Sequence, residues 1–239
     1  DIPSLGFGND AYYHPIMYDK DWEPYTGTYM FIDPSGKGAD KTAIAIVSHV
    51  NGYLHVKCVK GLDGGYQQQT LEAIIYHATL HKVDRIFVED NFGSSMFTAL
   101  LEPVLQGAFL EPDESPEHPN GWKCGLENVR VSGQKEIRII STLEPLANSH
   151  RMVWHPDVAR NQDLQRQWCM VTRERNCLKH DDEIDALASC CAQWLDVMNL
   201  DPEVSANRRK TEMLEKQLEA HYRAFGMSFK RPNWNNRKR

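Results

Sequence analysis

Three apolar runs between residues 28 and 60, divided only by turn signals, constrain the fold more than any other part of the chain. Residues 28–33 (Thr-Tyr-Met-Phe-Ile-Asp) stop at Pro34-Ser35-Gly36, and residues 42–49 form a second run. Asn51-Gly52 then leads into alternating apolar and polar positions over 53–60. Asn-Gly between β-forming residues selects a two-residue hairpin, because both central positions need positive φ. The pattern predicts an antiparallel three-strand meander with Asp33 at the end of its first strand.

The rest of the chain alternates helical and strand signals. Leu71, Ile74, Ile75 and Ala78 recur at helical spacing and predict a helix over 66–81. The run 85–88 ends in Glu89-Asp90 and is followed by a helix over 94–106. A helix between strands is a crossover, so the strand ending at Glu89 is expected to lie parallel to its neighbour. Residues 107–128, rich in Pro, Gly and acids, read as an exposed insertion. Short strands are expected at 129–132 and 151–154, and helices at 135–147, 162–175, 181–198 and 208–218. Residues 1–27, rich in Pro, Gly, Tyr and Asp, read as a linker that packs onto the body through Tyr12, Tyr13, Tyr18 and Trp22. The expected division is a lead-in over 1–27, an α/β domain over 28–200, and a tail over 201–239.

Asp181, Asp182, Glu183 and Asp185 put four carboxylates into five positions at the head of an apolar helix. On a helix Asp182 and Asp185 share a face, continued by the small residues Ser189 and Ala192. Ile184, Leu187, Ala188, Cys191 and Leu195 would form the buried stripe. Acids in a first turn also suit the helix dipole, so the plain reading is an N-cap with acidic decoration. Asp181 and Glu183 are expected to cap the helix or face solvent.

Charge and cysteine usage narrow the classes. Residues 205–239 hold ten Lys and Arg and three Glu, net +7, which leaves net −13 on 1–204 out of a total of −6. An acidic body does not attract nucleic acid by bulk electrostatics, but it suits a site that gathers carboxylates around a divalent ion. No run approaches the roughly 18 apolar residues of a membrane span. The six cysteines include no Cys-x-x-Cys pair, and Cys190-Cys191 on an apolar helix reads as packing in a reducing compartment. Cys169, Cys177 and His180 fit no common zinc spacing. The chain opens at Asp1 without Met or a signal-peptide pattern, which leads us to expect a piece of a longer polypeptide.

Asp33 and Glu89 each end a buried strand just before a Gly-containing turn. If the two strands are parallel neighbours, about 4.8 Å apart, their carboxylates converge on the sheet edge where open α/β folds bind ligands. A packed last helix would add Asp182 and Asp185. Such an all-oxygen set suits Mg²⁺ or Mn²⁺ rather than zinc, and two such ions would relieve the repulsion among the carboxylates. Taken singly, Asp33 reads equally as an Asx-turn former and Glu89 as the start of a solvated loop.

Phe31-Ile32-Asp33-Pro34-Ser35-Gly36, Val88-Glu89-Asp90-Asn91 and His180-Asp181-Asp182-Glu183-Ile184-Asp185-Ala186 resemble, in this order, three acidic motifs of a known family. The family is the nuclease domain of the large terminase subunit of tailed bacteriophages. Residues 135–146 are similar to it as well, and the resemblance covers about 29–198. It implies a ribonuclease-H-like α/β fold: a central mixed β-sheet, an antiparallel three-strand meander plus parallel strands, flanked by helices. It also implies an endonuclease that cuts concatemeric double-stranded DNA during viral genome packaging. Asp33, Glu89 and Asp185 would be the metal-binding core for two Mg²⁺ or Mn²⁺ ions. Asp182 would be an added ligand or a water-orienting group, with Asp181 as its substitute.

Nothing in the chain matches the Gly-x4-Gly-Lys-[Ser/Thr] phosphate loop of the family's ATPase motor, and Gly36-Lys37-Gly38 lacks the Ser or Thr. Lys135 and Arg138 at a helix start, with Lys37 and Lys41, are the candidate DNA contacts; Arg130, Arg173 and Arg175 are further ones. The partners implied are double-stranded DNA, the ATPase domain of the same full-length chain, the portal ring and the small terminase subunit. No membrane is implied, and the location would be the host cytoplasm. Two alternatives stand beside this reading: a junction resolvase or recombinase of the same broad fold, and a non-catalytic module docking the motor onto the portal through the basic tail.

Overall fold

A computed structural model describes residues 4–5, 12–13, 16–17, 25–35, 41–90, 95–108, 124–198 and 202–224. β1 (Ser4–Leu5) and β2 (Tyr12–Tyr13) pair as a small antiparallel ribbon. The main sheet takes β3 (Ile16–Met17), β4 (Gly27–Asp33), β5 (Thr42–Val50) and β6 (Tyr53–Leu62) from the first quarter of the chain. To these are added β7 (Arg85–Glu89), β8 (Gly125–Val129) and β9 (Met152–Trp154). The spatial order is β3-β9-β6-β5-β4-β7-β8. The expected meander is present, with Asn51 at φ 50° and Gly52 at φ 79° in its second turn. β7 is parallel to β4, and β8 to β7. β5 therefore runs against all its companions in the main sheet, and the strands on either side of it end on one edge.

Helices cover both faces because β5 is buried along its whole length. Its alternation sorts the core in two. Ala43, Ala45 and Val47 join Phe31, Val56 and Trp154 on one face, while Ile44 and Ile46 join Met30, Ile32 and Cys58 on the other. The second face is roofed by α1 (Gln68–Leu80) and α2 (Ser95–Ala108). The first is roofed by α3 (Lys135–Asn148), α4 (Pro156–Ala159), α5 (Gln162–Met170) and α6 (Asp182–Ala192), followed by α7 (Leu195–Met198). α8 (Pro202–Ala224) extends the expected 208–218 helix in both directions.

α6 crosses the sheet over β4, β5 and β6. Small residues on both sides, Ala43 and Ala45 below and Ala188 above, let the backbones approach closely. Every residue from Glu183 to Cys191 is buried, so the expected single apolar stripe was too narrow. At Leu195 it was also wrong, because that side chain is 39% exposed. The expected 181–198 helix is broken at Gln193-Trp194, where Trp194 turns inward and stacks on Tyr29 at 3.8 Å between ring centroids. The absence of a side chain at Gly27 makes room for it, since a Cβ there would lie 3.2 Å from the indole. Trp194→Ala is expected to cost about 3–5 kcal/mol, read from urea unfolding.

Two other expectations shift. The strand placed at 129–132 lies at Gly125–Val129. It is an edge strand held by pairing with β7 from Arg85↔Gly125 to Glu89↔Val129, and its faces are too polar to show alternation. Residues 125–128 therefore belong to the sheet and not to the insertion. The helix expected over 162–175 ends at Met170, because Val171 turns extended and is buried in the core. The chain then folds on itself: Thr172 N–H reaches Cys177 Sγ at 3.4 Å, and Asn176 N–H donates to Glu136 Oε1 at 2.6 Å. β3 brings part of the expected lead-in into the sheet beside β9.

Candidate metal centre

Asp33 and Glu89 end β4 and β7, one position beyond the last pair that joins the two strands, Ile32↔Val88, and each is still paired on its other side, to Ala43 and Val129. Because those strands are parallel neighbours, their terminal carboxylates leave the sheet side by side. α6 lays its first turn over the same edge and delivers Asp185, a residue only 2% exposed. One carboxylate oxygen from each of Asp33, Glu89 and Asp185 lies within 4.8 Å of the others. Asp182, a turn earlier on α6, stands outside that trio but close enough to act on Asp33.

The electrostatics record the crowding. Burial, then the charges of Glu89, Asp185 and Asp182, push the Asp33 carboxyl up to about 8 against the pull of Lys135. Glu89 is also held above the ordinary carboxylate range, by burial and by Asp185. Two cations answer from the first turn of α3. Lys135 Nζ lies 2.8 Å from Asp181 Oδ1 and 3.1 Å from Asp185 Oδ2, and Arg138 pairs with Asp185 Oδ1. Burial would lower the Lys135 ammonium, yet Asp185 and Asp181 hold it above its usual range. Five clustered carboxylates against two cations leave an excess of negative charge. All the donors are oxygen, so the residues present fit a hard divalent cation.

Lys135 and Arg138 thus face the carboxylates, where the sequence reading had them at a helix start aimed at phosphate. Asp181 occupies the N-cap position of α6 but makes no capping hydrogen bond through its side chain, which pairs with Lys135 instead. Glu183 does not face solvent. It is 4% exposed and accepts from Gln167 Nε2, whose Oε1 in turn accepts Ile184 N–H at 2.9 Å. Its carboxylate sits against β6, where a Cβ at Gly61 would come within 2.8 Å of it. Nothing in the sequence marks Glu183 as buried; its partner Gln167 lies sixteen residues away.

A groove of about 620 Å³ is lined on one side by Asp182 and Glu183, the α6 residues just before Asp185. Lys41, Arg166, Lys179 and His180 supply its basic wall. Lys41 is half-exposed and pairs with Asp163 at 3.4 Å. Arg173 pairs with Glu144 at 2.7 Å, Arg175 reaches Gln134 at 3.4 Å, and Arg130 is exposed. Lys37 lies outside the described residues.

Comparison with known proteins bears on this arrangement. Residues 32–152 match the family described as Terminase Bacteriophage T7, Ribonuclease H-like domain. The chain is 31% identical over 236 residues to the large terminase subunit of Enterobacteria phage T3, covering 92% of this chain and 37% of that protein. It thus spans little more than a third of that relative's length. The human cytomegalovirus terminase nuclease domain superposes with a TM-score of 0.50 at 16% identity, over 74% of this chain and 89% of that one. The same viral domain, soaked with manganese and bound to an inhibitor, gives 0.49 at 16% identity, over 75% and 89%. The fold is shared with the first of these two at that distance, and the family match begins at Ile32 in β4 and ends at Met152, the first residue of β9, so it includes Asp33 and Glu89 and stops short of α6. The chain belongs to the terminase family, of which it carries the ribonuclease-H-like domain of the large subunit.

Proposed function

We propose that this domain is a divalent-cation-dependent endonuclease that cuts concatemeric double-stranded DNA during genome packaging. One observation carries the proposal: three carboxylates from two parallel strand ends and one helix converge within 4.8 Å. Asp33, Glu89 and Asp185 would hold two Mg²⁺ or Mn²⁺ ions, with Asp182 as the accessory ligand. Such ions supply activation of water and charge neutralisation at a phosphodiester. The chain's own part is to hold the ligands rigidly, since Asp33 and Glu89 are fixed by sheet pairing and Asp185 by the buried stretch Glu183–Cys191 of α6. Lys135 and Arg138 are the cations nearest to a phosphate seated there, and Lys41, with the other basic groups of the groove, would guide the backbone toward it.

The nuclease unit is assigned to 28–200, with 1–27 as connection and 201–239 as a tail. Within the packaging machine, its partners would be an ATPase domain on the same full-length chain, the portal ring and the small terminase subunit, in the host cytoplasm. No helix among the described residues is long and apolar enough to cross a membrane. The test is nicking and linearisation of supercoiled plasmid by the purified chain. Cutting is expected with Mg²⁺ or Mn²⁺ and none with excess EDTA. A folded preparation that leaves plasmid intact in both ions would overturn the proposal, and strong preference for four-way junctions over linear duplex would move it to a junction resolvase.

A further inference from the structure

On the sheet face opposite the carboxylates, one cysteine and two histidines converge. Cys58 comes from β6, His77 from the last turn of α1, and His81 from the residue that closes that helix. One ligating atom of each lies within 4.8 Å of the other two. Cys58 Sγ and His77 Nδ1 are 4.0 Å apart, near the roughly 3.5 Å that separates sulfur and nitrogen on one tetrahedral zinc ion. Two local features place them. A bulge opposite Ile46 and Val47 leaves Lys57 as the extra residue of β6, so Val56 joins the core under α3 and α5 while Cys58 turns to α1. Histidines four apart on a helix fall on one face, and these two rings lie within 8° of parallel.

We propose that Cys58, His77 and His81 form a second metal site that takes a borderline-soft divalent ion of the zinc class. One sulfur and two imidazoles select zinc or cobalt over magnesium or manganese, and three protein donors leave a fourth position for water. Burial supports the ligand state of the histidines: His81 is lowered to about 4 and His77 is lowered too, so both are neutral at physiological pH. Burial pushes the Cys58 thiol up to about 11. Ligation therefore breaks the S–H bond, forms a sulfur–metal bond and releases one proton to solvent.

The surrounding charges bear on affinity. Lys60 Nζ sits 3.4 Å from His77 Nε2. The charges of Lys57, His155 and Lys60 bear on His81, and those of Lys60 and Asp157 on Cys58. Lys60 is exposed, and its ammonium beside His77 opposes a cation bound there.

The test uses the full chain carrying Asp33→Asn and Asp185→Asn, so that the carboxylate site does not compete and a failure of the nuclease reading leaves the result unaffected. Apo protein in a phosphine reductant is titrated with Co²⁺ and followed by visible and near-ultraviolet absorption. The expected result is one equivalent bound with a thiolate-to-cobalt charge-transfer band, displaced by Zn²⁺. Adding Cys58→Ser should remove the band, His81→Gln should weaken binding at least about tenfold, and Lys60→Gln should tighten it roughly threefold. Circular dichroism of each variant checks that the fold is kept. Cobalt bound without the band, a band that survives Cys58→Ser, or no cobalt bound by the folded protein would each overturn the site.

Discussion

Asp185→Asn is expected to reduce cation-dependent plasmid cleavage at least about a thousandfold, equivalent to about 4 kcal/mol of barrier. The substitution removes one charge and little volume at a position that is 2% exposed, and the amide oxygen can still accept from Arg138. Lys135 keeps Asp181 at 2.8 Å, so the α3–α6 contact survives. Asp33→Asn and Glu89→Gln should match the loss, because each supplies one of three converging ligands. Asp182→Asn, outside the trio, should lose only about ten- to a hundredfold, the usual scale for a group supporting the ligands. Initial nicking rates at saturating Mn²⁺, beside a thermal melt of each variant, make the comparison. Wild-type rates in any one of the first three would remove that residue from the ligand set.

The stability of the protein in EDTA should fall as pH rises from about 4 to about 8, and Asp33 is the chief cause. Its carboxyl titrates near 8 in the fold, against an ordinary 3.8. Between those values the folded chain holds a proton that the unfolded chain has lost, so each step up in pH favours unfolding. Glu89, raised in the same direction, adds to the slope. Lys135 does not offset it, since a raised lysine loses its contribution only above its ordinary 10.5. Asp33→Asn should flatten the slope and stabilise the protein at pH 8. Solvent at the open side of the site screens the repulsion, so the gain is set at about 1–2 kcal/mol, or roughly 3–6 °C in Tm. Millimolar Mn²⁺ should stabilise the wild type at pH 8 and leave Asp33→Asn nearly unmoved. An unchanged melting temperature in wild type from pH 5 to 8, with or without Mn²⁺, would dismiss a crowded carboxylate site.

What neutralising a carboxylate does to stability follows from its neighbours and not from residue type. Asp33 is surrounded mainly by carboxylates, so neutralising it relieves the fold. Asp185 is paired with two cations, so neutralising it does not. Both are aspartates of one carboxylate cluster, and sequence spacing has no access to that distinction.

The sequence by itself determined what local periodicity and turn chemistry can determine. The Asn51-Gly52 hairpin, the meander, the crossover helix before β7, and the strand-end positions of Asp33 and Glu89 were legible, because each depends on local pattern and turn chemistry. That β7 lies beside β4 is a pairing between residues 56 apart, which the sequence offered only as a condition. The ordered acidic motifs also carried the family. What only the tertiary structure decided depends on contacts between distant segments. Strand β8 exists through pairing with β7 forty residues earlier, and the break after α6 exists because Trp194 finds Tyr29. Glu183 is buried because Gln167 and the bare backbone at Gly61 receive it. Lys135 and Arg138 turn inward because α3 and α6 pack with their first turns together, where an excess of carboxylate charge draws any cation within reach.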